Sequence, residues 1–447
     1  MILSIINYII NVSLNKYTDL IKIKGTVMNK YNELYNRIKN EIITGQLAYG
    51  AKLPSIRKAS ELFSVSRTTV QNAYFALSAD GYIISEPQSG YYVCHRITRK
   101  NAAEPNKKEK KAIYDFSSSS ADRESFDFNL WRRYIKSALR QDERLLSYSE
   151  PQGEPELREA LSSYILSARN ITAGADRIVI GAGVQSLLSV LCSLIEERKT
   201  VSFPDKSFVM GAGLFKDYGF EVHYRDKDAK IIYVSPSHMT KWGDVMPNKR
   251  RAQLVRHSAE TGSLIIEDDY ESDFLYNSRP TPSLHTLAGG SSVVYLGSFS
   301  KLLLPSIRIS FMVLTEELAE KYRESIAKYS QTASKTEQLA LCSFIRDGHL
   351  KSQIRKTRRF YTAKARQFAS LLQREFDNAE IQMSENALQV IMKIPFDKSE
   401  RVFEENSIKV YIENYENGII TLVLNAGSIP ESKLENAVSA LKKAIKN

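Results

Sequence analysis

The chain has 447 residues, a formal net charge of +11 and a hydrophobic fraction of 43%. This length exceeds one typical domain, so we expect two or three domains with buried cores, and the charge favours a polyanionic partner. The cysteines Cys94, Cys192 and Cys342 are odd in number and far apart. They therefore predict neither a disulfide framework nor a metal site, and the expected location is a reducing cytoplasm.

The first 27 residues are partly apolar, but asparagines interrupt the apolar run. The run is too short to span a bilayer, and it lacks the basic start and the cleavage pattern of a signal peptide. We expect a disordered leader over 1–27, with the first recognisable pattern near Met28.

Residues 28–96 carry short helical patterns and end in a run rich in Tyr, Ile and Val. The segment 28–45 predicts an amphipathic helix, because apolar residues recur at helical spacing. This apolar face is formed by Tyr31, Leu34, Ile38 and Ile42.

Two further helices follow in a pattern typical of a helix-turn-helix. Ser55 can cap a helix that runs to about Phe63, and Ser66 can cap a second helix that runs to about Ala79. The turn between them is as short as this motif requires. Residues 82–93 predict a two-stranded wing with a Pro-Gln-Ser-Gly turn at its tip.

The start of the second helix is polar. Such side chains can contact phosphates and base edges in a major groove of DNA, and here they are Arg67, Thr68, Thr69, Gln71 and Asn72. By pattern alone, an ordinary helical pair with solvated polar ends remains an alternative.

Residues 97–113 have the composition of a linker. The segment ITRKNAAEPNKKEKKAI contains six Lys or Arg against two Glu and has no apolar periodicity. It is either a solvated tether or a tether that also contacts DNA phosphates.

From residue 114 to 447, short apolar runs alternate with helical patterns. Buried strands are predicted in RIVIGAG (177–183), IIYVSPS (231–237), SLIIEDDY (263–270) and SVVYLGSFS (292–300), and a helix in VQSLLSVLCSLIEE (184–197). This alternation predicts an α/β domain with a mostly parallel sheet, in which ligands bind beyond the carboxyl ends of the strands. The residues at those ends are Gly183, Ser237, Asp268 and Lys301.

Lys301 follows a predicted strand in LGSFSKLLLPSIRIS. A lysine amine held deprotonated can form a Schiff base with an aldehyde cofactor such as pyridoxal 5′-phosphate (PLP). PLP also needs a carboxylate at its pyridine nitrogen, a hydroxyl at its ring oxygen, an anion site for its phosphate and an aromatic cover. Candidates for these supports are Asp268, Tyr270, Gly181, Gly183, Val184, Ser298, Ser300, Arg308 and Phe208.

Each of these candidates taken singly has an ordinary structural explanation. The Gly-Ala-Gly segment can be a plain turn, the acidic pair a helix cap, and Lys301 a surface lysine with a buried stem. Their joint occurrence at strand ends is what indicates a PLP pocket.

The segment GQLAYGAKLPSIRKASELFSVSRTTVQNAYFALSADGYIISEPQSGYYV resembles the winged helix-turn-helix of the GntR family. The family's Gly-x-Leu-x-x-Gly-x-x-Leu-Pro-Ser-x-Arg and Val-Ser-Arg-x-Thr-Val patterns are both present. The resemblance implies a small α+β domain that binds double-stranded operator DNA, with contacts from Ser55, Arg57, Ser66, Arg67, Thr68, Thr69 and Gln71, and from the wing at Ser89 and Gly90.

Residues 265–314 resemble the fold-type-I aminotransferase domain of MocR-type GntR regulators, as do 147–165 and 235–247. The resemblance covers about 113–440. It implies Lys301 as the Schiff-base lysine, Asp268 at the pyridine nitrogen and Tyr270 at the ring oxygen. It further implies a phosphate site formed by Ser298, Ser300, Arg308, Gly183 and Val184. It implies that Phe208 stacks on the ring, and that Tyr148 reaches the phosphate from the partner subunit of a homodimer.

Two departures from the family pattern concern the substrate side of the pocket. The family's Gln-x-Pro-Thr-Gly is replaced by Met239–Gly243, and Val423 stands about where aminotransferases place a carboxylate-binding arginine. No arginine occurs after Arg401. We therefore expect a PLP-binding regulator whose effector is PLP itself or an amine. A working aminotransferase with a vestigial DNA module, and a scaffold domain without PLP, are the alternatives.

Overall fold

The structure is a computed structural model that describes residues 30–94, 113–118, 120–195, 197–239, 244–269, 281–300, 302–384 and 389–446. The chain divides into two compact units, Met1–Glu109 and Lys110–Asn447. The predicted leader lies outside the described residues, as does the predicted linker apart from residue 113. Both therefore stay predictions.

The first unit contains three helices followed by a hairpin. They are α1 (30–43), α2 (Ile56–Leu62), α3 (Arg67–Ala79), β1 (Ile83–Glu86) and β2 (Gly90–Val93). The two predicted caps start their helices, because the Ser55 hydroxyl accepts from Lys58 N at 3.3 Å and the Ser66 hydroxyl from Thr69 N at 3.1 Å. The hairpin strands pair antiparallel, so the predicted winged helix-turn-helix is confirmed.

One apolar cluster holds this unit together. The predicted face of α1 is buried through Leu34, Ile38 and Ile42, and it packs with α3 and with both hairpin strands. Tyr74 on α3 is also fully buried, and its hydroxyl donates to the Pro54 carbonyl at 2.9 Å. Burial raises the pKa of Tyr74 to about 12. These contacts leave the polar start of α3 on the outside.

The second unit is built on a seven-stranded sheet, and its strand order is β4-β10-β9-β8-β7-β5-β6. Six strands are parallel to one another, and β10 runs antiparallel to both of its neighbours. The strands are β4 (Ile178–Gly181), β5 (Thr200–Phe203), β6 (Glu221–Tyr224), β7 (Ile231–Val234), β8 (Leu264–Asp268), β9 (Val293–Ser298) and β10 (Ser310–Val313).

Helices cover both faces of this sheet. Alternate residues of β4 belong to different clusters, because Ile178 and Ile180 pack in one apolar cluster and Val179 packs in another. The helices of the unit are α4 (Phe128–Leu139), α5 (Asp142–Leu145), α6 (Pro155–Arg169), α7 (Val184–Leu194), α8 (Val209–Asp217), α9 (Asn248–Thr261), α10 (Leu284–Leu287), α11 (Glu316–Glu324), α12 (Lys335–Arg346), α13 (His349–Glu375), α14 (Arg401–Glu405) and α15 (Leu434–Lys446).

The carboxyl-terminal part of this unit has its own sheet, with order β11-β12-β15-β14 and all pairings antiparallel. Its core includes side chains of α13 and α15. A short parallel pair joins β3 to β13. The strands are β3 (Tyr114–Asp115), β11 (Glu380–Met383), β12 (Val390–Pro395), β13 (Ile408–Lys409), β14 (Tyr411–Glu416) and β15 (Ile419–Leu424).

The predicted α/β class is confirmed. All four apolar runs form strands of the large sheet, and the helix predicted over 184–197 is α7, which ends at Leu194. Among the described residues, no helix combines the length and the apolar character that crossing a membrane requires.

Candidate functional site

A cavity of about 620 Å³ lies where several strands of the large sheet end. Its walls come from the turn after β4, the end of β7, the end of β8, the end of β9 and the start of β10. Because carboxyl ends of parallel strands meet at one edge of a sheet, residues far apart in sequence converge here. This volume is typical of a small-molecule site.

One end of the cavity is suited to an anion. Gly183 is the N-cap of α7 and lines the cavity together with Val184 and Gln185, so the start of this helix, whose first N–H groups have no acceptor within the helix, lies at the site. Arg308 also lines the cavity, and its Nη2 lies 3.4 Å from the Ala182 carbonyl oxygen. The hydroxyls of Ser298 and Ser300 lie 3.4 Å apart on the same wall. Helix N–H groups, a guanidinium and hydroxyls are the usual ligands of a phosphate.

Gly183 makes this arrangement possible. Its φ is +96°, a conformation that side chains with a Cβ rarely adopt. A Cβ added at this position would lie 2.4 Å from Nη2 of Arg308. The glycine therefore allows the guanidinium to approach the helix start.

The carboxylate of Asp268 lines the same cavity and is only 6% exposed. The hydroxyl of Tyr233, on β7, donates to its Oδ2 at 2.5 Å. Tyr233 also stacks on Phe208, with ring centroids 5.1 Å apart and an angle of 27° between the rings. Sequence reasoning did not single out Tyr233, because in an apolar strand it reads as one more buried residue.

A second carboxylate, that of Asp269, anchors the end of β8 to its neighbours. Asp269 accepts hydrogen bonds from the hydroxyls of Tyr295 at 2.8 Å and Ser237 at 3.1 Å. Nε of Arg169, on α6, lies 2.8 Å from its Oδ2. These contacts tie β8 to β7, β9 and α6. They hold Asp268 in place one residue earlier.

Glu267 is fully buried and caps the short helix α10. Its two oxygens accept from the backbone N–H groups of Leu284 and His285, each at 2.9 Å. Burial, with the nearby charge of Asp269, raises the pKa of Glu267 to about 7.

Arg251, also fully buried, donates to three backbone carbonyls of the surrounding loops, those of Met246, Pro282 and Pro236. The strand end is thus set in a rigid polar frame.

His285 makes the stability of this frame depend on pH. Burial, with the charge of Arg177, lowers the pKa of His285 from 6.5 to about 4. Its stabilising contribution is complete above pH 6.5 and is lost as the pH falls towards 4, since the unfolded state then binds the proton that the folded state excludes. From pH 7 to pH 4, wild-type protein should lose about 3 kcal/mol more stability than His285→Asn. Urea denaturation at each pH measures this difference.

The pH dependence of wild-type stability alone would not reveal the contribution of His285. Glu267 acts in the opposite direction, because its raised pKa favours the folded state at low pH and costs stability as the pH rises from 4.5 to 7. The comparison with His285→Asn removes that shared contribution. If the free energy of unfolding changed equally with pH in wild type and His285→Asn, the prediction would be contradicted.

Most residues predicted to hold PLP lie together. Seven line the cavity: Gly183, Val184, Phe208, Asp268, Ser298, Ser300 and Arg308. Tyr148 does not line it, and its side chain is fully exposed on this chain. Lys301 and Tyr270 lie outside the described residues. So does 240–243, whereas Met239 lines the cavity.

The predicted DNA contacts lie on the first unit. The side chains of Arg57, Arg67, Thr68 and Gln71 are exposed, and Thr69 is half-buried. Ser55 and Ser66 have a structural task as helix caps, so their hydroxyls are already engaged. The other predicted contacts are on the wing, where Ser89 Oγ lies 2.6 Å from the Tyr92 hydroxyl and Gly90 has a φ of +116°.

Comparison with known proteins agrees with this two-part architecture. Residues 30–93 match the family of bacterial regulatory proteins of the gntR family, and residues 113–416 match aminotransferase class I and II. The chain is 31% identical to the HTH-type transcriptional regulator YdeL of Bacillus subtilis, with 93% of this chain and 96% of YdeL covered.

Two further comparisons extend the picture. The chain is 26% identical to the probable rhizopine catabolism regulatory protein MocR of Rhizobium meliloti, with 77% of each protein covered. The α-aminoadipate aminotransferase LysN of Thermus thermophilus, solved with N-(5′-phosphopyridoxyl)-L-leucine, superimposes with a TM-score of 0.62 at 21% identity, over 75% of this chain and 92% of LysN. The chain therefore belongs to the MocR-type transcriptional regulators of the GntR family, in which a winged helix-turn-helix domain is joined to an aminotransferase class I and II domain.

Proposed function

We propose that the chain is a PLP-dependent sensor that couples the state of its cavity to its affinity for operator DNA. The observation that carries the proposal is the convergence in one cavity of a helix N-terminus, a guanidinium and a buried carboxylate. Each of these groups comes from a different element, and together they match the two ends of PLP. The Gly183 cradle, which a Cβ would fill, supports the same fit.

The residues divide by the part of PLP that each would hold. The start of α7, Ser298, Ser300 and Arg308 would bind the phosphate. Asp268, oriented by the hydroxyl of Tyr233, would keep the pyridine nitrogen protonated, and the protonated ring supplies the electron sink of PLP chemistry. The remaining assignments rest on the sequence, with the amine of Lys301 as the covalent attachment point, Tyr270 at the ring oxygen and Phe208 over the ring.

Tyr148 suits a role in a homodimer. Its side chain is fully exposed on this chain, although the family resemblance implies that it contacts the phosphate. A nearby anchor holds its backbone, because Nζ of Lys335 donates to the Ser147 and Tyr148 carbonyls at 3.2 and 3.3 Å. We propose that it reaches the cavity of a second subunit.

The substrate side favours sensing over transamination. Val423 lies buried in β15, paired with Ile391 and Tyr411, and it offers no charge to a substrate carboxylate. A regulator needs only differential binding of its effector by two arrangements of the protein. PLP, or an amine that reacts with it, would be that effector in the cytoplasm.

The first test uses Lys301. Wild-type protein titrated with PLP should develop a visible absorption band, and Lys301→Ala should not, because the amine that forms the covalent link is gone. Lys433→Ala, which removes an exposed lysine elsewhere, is the matched control and should behave as wild type. An equal band in Lys301→Ala, or none in wild type, would sink the cofactor assignment.

The same proteins test the coupling to DNA. Affinity for the promoter region of the regulated gene should change with PLP for wild type and Lys433→Ala, but not for Lys301→Ala. If PLP did not change the DNA affinity of wild type, the effector would be an amine, and amines would be screened next. Multiple-turnover amino transfer by wild type would favour the aminotransferase alternative.

A further inference from the structure

The long helix α13 presents an unusual charge distribution. Over its 27 residues, Glu375 at the last position is the single carboxylate. Seven of its basic side chains are exposed, and these are Lys351, Arg355, Lys356, Arg358, Arg359, Arg366 and Arg374. A surface helix of an ordinary soluble domain mixes both signs of charge, usually as ion pairs at helical spacing.

Among the described residues, the cations between 351 and 359 have no carboxylate partners. Within the part of the chain that the structure describes, none of Lys351, Arg355, Lys356, Arg358 and Arg359 forms an ion pair. By contrast, Lys364 on the buried side of the same helix is paired with Asp122. The unpaired charges therefore lie on the exposed side of the first part of α13, at 351–359.

Two neighbouring elements add cations of the same kind. The ring of Tyr134, on α4, lies 5.8 Å from that of His349 at the start of α13. Gln353 Nε2 donates to the Ser125 carbonyl at 2.7 Å, which joins α13 to the short helical turn Arg123–Ser125. The exposed cations on these two elements are Arg123, Arg132, Arg133 and Lys136. We call these four, with the five cations at 351–359, the basic surface.

Nearby carboxylates offset only part of the positive charge of the basic surface. Asp122 is buried against Lys364, and Asp347 accepts a hydrogen bond from the Tyr134 hydroxyl at 2.5 Å. Asp127 is the N-cap of α4 and is engaged with Asn129 N and Leu130 N. Glu124 is the remaining exposed acid on these elements within the described residues. The nine cations repel one another, and a bound polyanion would relieve that repulsion.

We propose that the basic surface binds the sugar-phosphate backbone of DNA, as a second contact that is independent of the helix-turn-helix. This inference rests on the proposed function, which makes DNA the polyanion this chain meets. Six of the nine cations are arginines, whose planar forks bind phosphates bidentately. Residues 351–359 span roughly 12 Å of helix, a length along which duplex DNA carries about seven phosphates. Such contacts carry no sequence information, so they add affinity at any flanking sequence.

The test measures how salt weakens the binding of the full chain to a random-sequence DNA duplex. The variant Arg355→Gln/Arg358→Gln/Arg359→Gln removes three charges of the basic surface. Lys249→Gln/Arg250→Gln/Arg256→Gln removes three exposed charges from α9 and is the matched control. Each lost phosphate contact lowers the slope of log affinity against log salt by about 0.9, so the first variant should lose a slope of about 2 to 3. The control should keep the wild-type slope.

Several results would overturn the proposal. Equal slopes for the two triple variants would mean that net charge alone attracts DNA. A change in oligomeric state of the first variant, measured by light scattering, would instead assign the basic surface to contact with another copy of the chain. Arg67→Ala separates this proposal from the proposed function. If wild type binds DNA and Arg67→Ala binds it equally well, the helix-turn-helix assignment fails, whereas loss of the α13 effect alone refutes only the second contact.

Discussion

Replacing Gly183 with valine is expected to weaken PLP binding by about 100-fold, which corresponds to ~3 kcal/mol. A valine would have to adopt a φ near +96°, and its Cβ would lie 2.4 Å from Nη2 of Arg308. The guanidinium would be displaced and the first turn of α7 distorted, so both phosphate ligands would suffer together. A spectroscopic titration with PLP measures the loss.

A second glycine provides the control for this experiment. Gly213 lies inside α8 with an ordinary φ, and a Cβ added there would have no heavy atom within 4 Å. Gly213→Ala should therefore bind PLP as wild type does and should stabilise its helix slightly. Wild-type affinity in a folded Gly183→Val protein would show that the phosphate binds elsewhere.

Replacing Asp122 with alanine is expected to cost about 3 to 5 kcal/mol of stability, the usual penalty for leaving a buried charge without its partner. Nζ of Lys364 lies 2.5 Å from Oδ2 of Asp122, and the two side chains are only 3% and 7% exposed. Without the carboxylate, the partners of the ammonium among the described residues would be the Gly427 carbonyl at 3.2 Å and the Phe360 ring, whose centroid is 5.5 Å away. Urea denaturation of the full chain measures the loss.

Two further variants test whether that loss comes from the unpaired buried charge. Glu380→Ala breaks an exposed ion pair with Lys393 and should cost about 1 kcal/mol or less. The double variant Asp122→Leu/Lys364→Met removes both buried charges and should recover most of the lost stability. If Asp122→Ala cost no more than Glu380→Ala, the buried pair would be unimportant to the fold.

Local patterns in the sequence sufficed to predict four strands of the large sheet and the residues at their ends. Apolar runs gave β4, β7, β8 and β9, and the glycines after β4 indicated the start of α7. The site residues Asp268 and Arg308 followed from their places in such patterns and from the resemblance to a known family.

Contacts between distant segments could not be predicted in this way. Tyr233 and Asp268 are 35 positions apart, and Asp269 and Tyr295 are 26 apart. Nothing local distinguishes a tyrosine that orients a carboxylate from one that fills a core. The basic surface was missed for a similar reason, since its cations look like solvated charge until α4 and α13 are seen to pack together.

The direction of β10 determines which groups can meet in the cavity. Ser310, its first residue, lies level with Gly181 of β4 and Ser298 of β9, the last residues of both neighbours. Because β10 runs against them, Arg308 arrives at the edge where they end. In a parallel β10 of the same four residues, Arg308 would enter from the opposite edge, roughly 13 Å away. A single reversal of chain direction thus brings the guanidinium and the start of α7 to the same side of the sheet.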